Sequence, residues 1–179
     1  MSIKSDKWVK SQPNLITPFE SQLISKGISY GLSSYGYDLR CSEHFKIFTP
    51  RETDIIDPLR ADEIPYVDYR GEVCEIPPFG FVLACTIEYI KMPRDVSGII
   101  LNKSTYARAN IDVRTTVIEA GWEGQITLEI ANGNPCPARI YANQGIAQLI
   151  FIGGDGECEI SYADRKGKYM WQIGPTMGR

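Results

Sequence analysis

The stretch LNKSTYARANIDVRTTVIEAGWEGQITLEIAN, residues 101–132, decides the fold predicted for this chain. It combines a basic, hydroxyl-rich turn, a Gly-Trp turn and a strand that carries one acidic side chain. The side chains of a β-strand alternate between its two faces. One face therefore carries Ile126, Leu128 and Ile130, and Glu129 lies on the opposite face. This pattern places Glu129 either on a wet outer surface or in a polar cavity.

The turn NKSTYAR, which precedes that strand, is rich in hydrogen-bond donors. Its Lys103, Ser104, Thr105 and Arg108 side chains are suited to oxyanions. Residues 104–109 favour a short helix, and the N-terminus of a helix is a ready phosphate site. The turn is therefore either an ordinary charged surface loop or a binding site for an anionic ligand.

Length and composition indicate one globular domain spanning residues 1–179, because 43% of the residues are hydrophobic and 23% are charged. A net charge of −3 argues against nucleic acid as a partner, since proteins that bind it usually carry a basic stripe. The sequence has no signal peptide and no run of about 18 apolar residues. No membrane partner is therefore predicted, and the cytoplasm is the expected location.

The cysteines bear on both compartment and chemistry. There are five, and none forms a C-x-x-C pair, which is typical of free thiols in a reducing cytoplasm. Zinc-dependent nucleobase deaminases hold their ion with an H-x-E and a P-C-x-x-C sequence. Here His44 is the only histidine, and Cys136 has no second cysteine at that spacing. Any deamination must therefore proceed without zinc, and no metal ligands are predicted.

Short segments of alternating or β-branched residues, separated by turn residues, recur along the chain. They predict strands at residues 35–41, 45–48, 73–76, 81–90, 99–101, 111–118, 125–132, 139–141 and 146–152. This spacing favours an all-β barrel or sandwich with a few short helices. Within the last strand the polar Gln148 either satisfies buried backbone groups or contacts a ligand.

Three further segments have their own patterns. A helix is predicted over residues 17–26, because Thr17 can cap it, Pro18 suits the first helical position and Glu20 completes a capping box. The Pro- and Asp-rich residues 50–69 are typical of a surface excursion. The polar residues 1–14 form an arm that either packs on a neighbour or stays loose.

The C-terminal segment, residues 161–179, begins with SYADRKGKYMWQ and concentrates cations beside aromatic rings. One interpretation is a fraying basic tail. The other is a lid that orders over a bound triphosphate, supplying charge-assisted hydrogen bonds while its rings exclude water.

Four motifs in register resemble the dCTP deaminase family, relatives of the trimeric dUTPases. They are SSYGYDLR (33–40), NKSTYAR (102–108), VIEAGWEGQITLEIAN (117–132) and IYANQGIAQLIF (140–151). The match runs in order over about residues 16–172, although parts of these motifs also occur in dUTPases and bifunctional relatives. The resemblance implies a dUTPase-like distorted β-barrel, or β-clip, assembled as a homotrimer with its sites between subunits.

The resemblance also implies an activity, the zinc-independent hydrolysis of dCTP to dUTP and ammonia in pyrimidine deoxynucleotide synthesis, with dTTP as an inhibitor. Glu129 matches the family's catalytic glutamate, and Ser104 and Arg108 match residues beside the base and the phosphates. Glu119 stands where many relatives have an aspartate near the sugar 3′-hydroxyl. The substrate-binding set is completed by Lys103, Thr105, Thr115, Thr116, Val117, Tyr162, Lys168 and Gln172. Magnesium is expected on the triphosphate rather than in a protein cage.

The residue types suit that chemistry. Water must add to C4 of the pyrimidine, so one group accepts its proton and passes protons to N3 and to the departing amine. A buried carboxylate can do both, and Glu129 would need a pKa raised by desolvation to return the proton. Arg108 and Ser104 could hold the water and keep Glu129 ionised. Main-chain groups of residues 113–118 are expected to recognise the base.

Two alternatives remain open at this stage. The nearer is a dUTP diphosphatase, or a bifunctional enzyme that releases dUMP from dCTP, in which Glu119 activates water at phosphorus. Release of pyrophosphate from dCTP would identify it. The other alternative is a non-catalytic nucleotide-binding barrel, which predicts tolerance to substitution at Glu129 and no product.

Overall fold

The computed structural model describes residues 2–178. They contain fourteen strands, two short α-helices and one 3-10 helix. In chain order they are β1 (Ser2–Ile3), α1 (Asp6–Ser11), β2 (Ile16–Thr17), β3 (Leu23–Ile24), β4 (Tyr30–Ser33), β5 (Gly36–Arg40), β6 (His44–Phe48), the 3-10 helix (Pro58–Glu63), β7 (Tyr66–Arg70), β8 (Val73–Ile76), β9 (Phe81–Lys91), β10 (Val96–Asn102), α2 (Ser104–Ala107), β11 (Ile111–Arg114), β12 (Glu123–Asn132), β13 (Ala138–Tyr141) and β14 (Gly145–Gly153).

The strands form two six-stranded sheets and a two-stranded ribbon. The first sheet has the order β1-β14-β5-β4-β3, and β10 also pairs with β14. The second has the order β11-β12-β9-β6-β7, with β2 on β9, and the ribbon joins β8 to β13. The predicted all-β class is confirmed, but these described strands form open sheets rather than one closed barrel.

Apolar residues from both large sheets build the core. Tyr37, Leu149 and Phe151 of the first sheet are fully buried, as are Phe45 and Ile130 of the second. Burial alternates along β12 as its sequence predicts, with Ile126, Leu128 and Ile130 inward and Glu129 on the half-buried face. The predicted short helix after β10 is found as α2.

The helix predicted over residues 17–26 is wrong. Ile16 and Thr17 pair with Ile90 and Tyr89 of β9, and a cis peptide bond follows Thr17. The backbone N–H of Glu20 donates to the hydroxyl group of Tyr37 at 2.9 Å. Tertiary partners therefore take the backbone groups that a helix would have used, which overrides the local capping signal.

Two strand boundaries also differ from the prediction. The predicted strand over residues 111–118 ends at Arg114, because residues 172–176 occupy the edge of β12 along which it would continue. The backbone N–H of Gln125 donates to the carbonyl oxygen of Gln172 at 2.9 Å. Within the predicted surface excursion, β7 pairs with β6, so that stretch is part of the second sheet.

Both ends of the described chain pack on the chain itself. β1 pairs with β14, Val9 of α1 is buried, and the ring of Trp8 lies 5.8 Å from that of Phe151. The arm therefore packs on its own chain. At the other end, Gln172 bridges to Gly124, so the C-terminal segment is anchored beside β12.

Candidate functional site

A cavity of about 320 Å³ lies where β12, the chain after β11 and the C-terminal segment meet. This volume falls at the lower end of the range of ligand pockets, roughly 300–1,000 Å³. Its lining residues are Thr115, Thr116, Val117, Ile118, Glu119, Trp122, Ile126, Thr127, Glu129, Tyr162, Tyr169 and Gln172. Aromatic and aliphatic groups thus form one part of the wall, and hydroxyl and carboxyl groups the other.

Glu129 lies in this cavity and not on a wet outer surface. Across the ladders it faces Arg114 on β11 and Leu83 on β9. Burial raises the pKa of Glu129 to about 7, although the positive charge of Arg114 acts to lower that pKa. A carboxyl group with this pKa holds comparable amounts of its two protonation states at neutral pH. It can therefore both accept and return a proton.

The backbone opposite Glu129 leaves the β-ladder. Beyond Arg114 the chain pairs again only at Ile118, which exchanges backbone hydrogen bonds with Gly98 at 2.8 and 2.9 Å. Thr115, Thr116 and Val117 lie between these points and line the cavity. Their main-chain groups therefore lie at the cavity wall and outside the β-ladder.

The C-terminal segment supplies a folded wall. Its turn is built around Tyr162, whose hydroxyl group accepts a hydrogen bond from the backbone N–H of Tyr169 at 3.1 Å. The indole N–H of Trp122 donates to the carbonyl oxygen of Tyr169, also at 3.1 Å. The guanidinium group of Arg165 contacts the carboxylate of Glu119 and lies over the ring of Tyr162. This segment is thus fixed to the body of the chain at the cavity.

Of the residues predicted to form the site, the cavity brings together Glu129, Thr115, Thr116, Val117, Glu119, Tyr162 and Gln172. Gln172 is buried, and its side-chain amide donates to the carbonyl oxygen of Gln125 at 2.8 Å. Gln172 thus lies at the cavity wall, and its side-chain amide is hydrogen-bonded to the backbone of β12.

The α2 turn is not part of this cavity within one chain. Ser104, Thr105 and Arg108 are exposed on α2 and do not line the cavity. Within one chain, Arg114 rather than Arg108 therefore supplies the charge that favours ionised Glu129. α2 lies before the Ile111 end of β11, whereas Glu129 pairs with Arg114 at the other end of that strand, and this separates the two sets of residues.

The remaining predicted residues have partners elsewhere in the chain. The ammonium group of Lys103 lies 2.5 Å from a carboxylate oxygen of Asp38 and 3.2 Å from the hydroxyl oxygen of Ser29. Gln148 donates to the hydroxyl oxygen of Ser33 at 3.1 Å. Lys168 lies over the ring of Tyr169, 5.1 Å from its centroid, and thus at the outer side of the cavity wall.

Several cavity residues were not predicted as site residues. Thr127 shares the strand face of Glu129, so the alternation in β12 could have identified it. Trp122 and Tyr169 are brought together by the fold of the C-terminal segment, which no local pattern encodes. Tyr66 of β7 lies close enough for the Glu129 charge to contribute, after burial, to its raised pKa.

Residues 2–178 contain neither a metal-binding cluster nor a membrane-spanning helix. No group of three or more histidine, cysteine or acidic side chains is placed to hold a metal ion there. Nor does any helix in that part of the chain have the length and apolar character needed to cross a membrane.

Comparisons with known proteins agree with one another. A family profile described as dCTP deaminase-like matches residues 3–154. The dCTP deaminase of Campylobacter hominis is 55% identical over 183 residues, covering 100% of this chain and 96% of its own. That of a Sulfurovum species is 51% identical and is covered to 97%. The crystal structure of the Agrobacterium tumefaciens 2′-deoxycytidine 5′-triphosphate deaminase superposes with a TM-score of 0.61 at 20% identity, over 85% of this chain and 48% of that one, which shows a shared fold.

Proposed function

Because this chain belongs to the dCTP deaminase-like family of enzymes, we propose that it hydrolyses dCTP to dUTP and ammonia, with Glu129 carrying the protons. The observation that carries this proposal is the state of Glu129. Its carboxyl group lies in a cavity, and burial raises its pKa to about 7.

In the proposed reaction, Glu129 acts first as a base and then as an acid. Ionised Glu129 takes a proton from water as the oxygen adds to C4 of the cytosine ring. The protonated carboxyl group then gives this proton to N3, and a second transfer from the new hydroxyl group to the amine lets ammonia leave. General acid-base catalysis of this kind contributes roughly 10²- to 10⁴-fold to a rate. No zinc ion is needed to generate the nucleophile.

The rest of the cavity suits a deoxynucleotide. The main-chain groups of residues 115–117 lie outside the ladder and are available to the pyrimidine edge. Tyr162 and Tyr169 provide aromatic surface, and the carboxylate of Glu119, which also lines the cavity, is a candidate acceptor for a sugar hydroxyl. We expect magnesium to arrive on the triphosphate as part of the substrate, because Mg²⁺ prefers phosphate oxygens and water to a protein cage.

A homotrimer would complete the site. Ile3, Ile99 and Leu101 lie on the outer face of the first sheet and are 54%, 39% and 46% exposed. Contiguous exposed apolar surface of this kind marks protein interfaces. A second copy on this face would cover it and could bring Ser104 and Arg108 of its own α2 turn to the cavity. This arrangement accounts for a single chain whose phosphate-binding turn and catalytic carboxylate lie apart.

The test is to incubate the purified protein with dCTP, dCMP or dUTP and magnesium, and to assay ammonia and pyrophosphate separately. Ammonia from dCTP without pyrophosphate is the expected result. Pyrophosphate would identify a bifunctional enzyme, and the absence of any product would leave only a nucleotide-binding protein.

Glu129→Gln tests the assigned residue. The amide keeps the size of the side chain but cannot accept the proton of water, so ammonia release should fall at least 10²-fold. Binding of dCTP, measured by calorimetry, should persist. Thr127→Val, on the same strand face, is the matched control and should retain measurable turnover. Full activity in Glu129→Gln would refute the assignment.

A further inference from the structure

We infer that Arg94 and Asp164 form a latch that positions the C-terminal segment against the cavity, and that Arg94 thereby sets the affinity for nucleotide without contacting it. This inference rests on the proposed function. Arg94 belongs to the turn between β9 and β10, in the body of the chain. Asp164 belongs to the turn built around Tyr162.

Four interactions make Arg94 the centre of the latch. One guanidinium nitrogen donates to the carbonyl oxygens of Cys158 and Glu159, each at 3.1 Å. The other lies 3.3 Å from the hydroxyl oxygen of Ser161 and 2.8 Å from a carboxylate oxygen of Asp164. A single side chain thus fixes the whole connection from the end of β14 to the Tyr162 turn.

Asp164 transmits this restraint to the cavity wall. The carboxylate oxygen that meets Arg94 also accepts hydrogen bonds from the backbone N–H and the hydroxyl group of Ser161, both at 2.9 Å. Ser161 is buried, and Tyr162 follows it directly. The backbone N–H of Tyr162 donates to the carbonyl oxygen of Ala120 at 3.0 Å, so movement at Asp164 would displace a residue that lines the cavity.

A second ion pair of reversed polarity sets the register. Asp164 pairs with Arg94, and the adjacent Arg165 pairs with Glu119. The two neighbouring ion pairs therefore have opposite polarity. A shift of one residue would place like charges together. The segment can therefore close in one register only, with Tyr162 at the cavity.

Substitutions that weaken the latch should raise the KM for dCTP and leave kcat within about twofold, because the proton carrier Glu129 lies on β12 and is untouched. Arg94→Ala removes all four interactions and should raise KM about tenfold. Asp164→Asn keeps the acceptor for Ser161 but loses the charge, so about threefold is expected. Arg94→Lys should lie between the wild type and Arg94→Ala.

A double variant tests the coupling. If the two residues act as one latch, Arg94→Ala with Asp164→Asn should bind dCTP no more weakly than Arg94→Ala alone. Arg139→Ala is the control, because Arg139 forms an ion pair with Glu75 on the β8-β13 ribbon, away from the cavity. It should leave KM unchanged.

A second measurement needs no activity. Trypsin cleaves after lysine and arginine, and the segment offers Arg165, Lys166 and Lys168. Weakening the latch should increase the cleavage rate at these sites several-fold, whereas Arg139→Ala should not. Wild-type cleavage and KM values in Arg94→Ala, in a protein that deaminates dCTP, would overturn the latch alone. If the wild type neither turned over nor bound dCTP, the proposed function would be overturned. The trypsin cleavage rates alone would then decide whether Arg94 and Asp164 form a latch.

Discussion

At the scale of single residues, the sequence predicted the strand face of Glu129 better than the identity of its charged neighbour. The period of two in β12 separated Glu129 from the core face, and the need for a desolvated carboxylate predicted a raised pKa. In the structure, burial raises the pKa of Glu129 to about 7. Its charged neighbour within the chain is Arg114, which lies opposite Glu129 in the ladder. Pairing between strands is a tertiary property, so the sequence alone could not identify this neighbour.

The pairing with Arg114 predicts how activity depends on pH. Glu129 must be ionised in the free enzyme to accept a proton, so kcat/KM should rise with pH and level off above a pKa of about 7. The charge of Arg114 lowers that pKa, so Arg114→Gln should move the rising limb to higher pH. Rates measured from about pH 5.5 to about pH 9 bracket a pKa of about 7 and would follow this shift. Arg139→Gln is the control, and identical limbs in both variants would contradict the role given to Arg114.

At the scale of elements, the predictions held where local pattern and tertiary partner agreed. Strands such as β9 and β14 carry long β-branched runs and lie at the centres of their sheets. The helix predicted at Thr17 failed because β9 offered the backbone a better partner, and β11 ends early because the C-terminal segment takes its edge. Segments whose state depends on residues far away in sequence were the ones the sequence could not predict.

The ion pair that anchors the start of α2 allows a second test. The side chains of Lys103 and Asp38 are only 11% and 8% exposed and join the start of α2 to β5. Leaving one member of a buried ion pair without its partner is strongly destabilising, so Asp38→Asn should lower the free energy of unfolding by about 3 kcal/mol in a denaturant titration. Asp68→Asn, at a carboxylate that is 61% exposed and meets both Lys46 and His44, should change it by less than about 1 kcal/mol. Equal, small effects would show that the pair between Lys103 and Asp38 does not stabilise the fold.

At the scale of the whole molecule, one chain holds the two sets of predicted site residues apart. Glu129 lies in a cavity beside the C-terminal segment, and Arg108 lies exposed directly after α2. The motifs for both sets are visible in the sequence, but their separation depends on where each falls along the β11-β12 ladder. We propose that a neighbouring copy packs on the exposed apolar face of the first sheet and brings the two sets together.

Mixing two inactive proteins tests this arrangement directly. Glu129→Gln lacks the proton carrier but keeps Arg108, and Arg108→Ala has the opposite defect. If each site takes Glu129 from one subunit and Arg108 from the next, every cyclic trimer that contains both variants should have one restored site, about a third of its sites. The two variants would be co-expressed with different tags, purified through both tags, and assayed for ammonia from dCTP. A mixture as inactive as its parents would place the whole site within one chain, and the apolar face would then need another explanation.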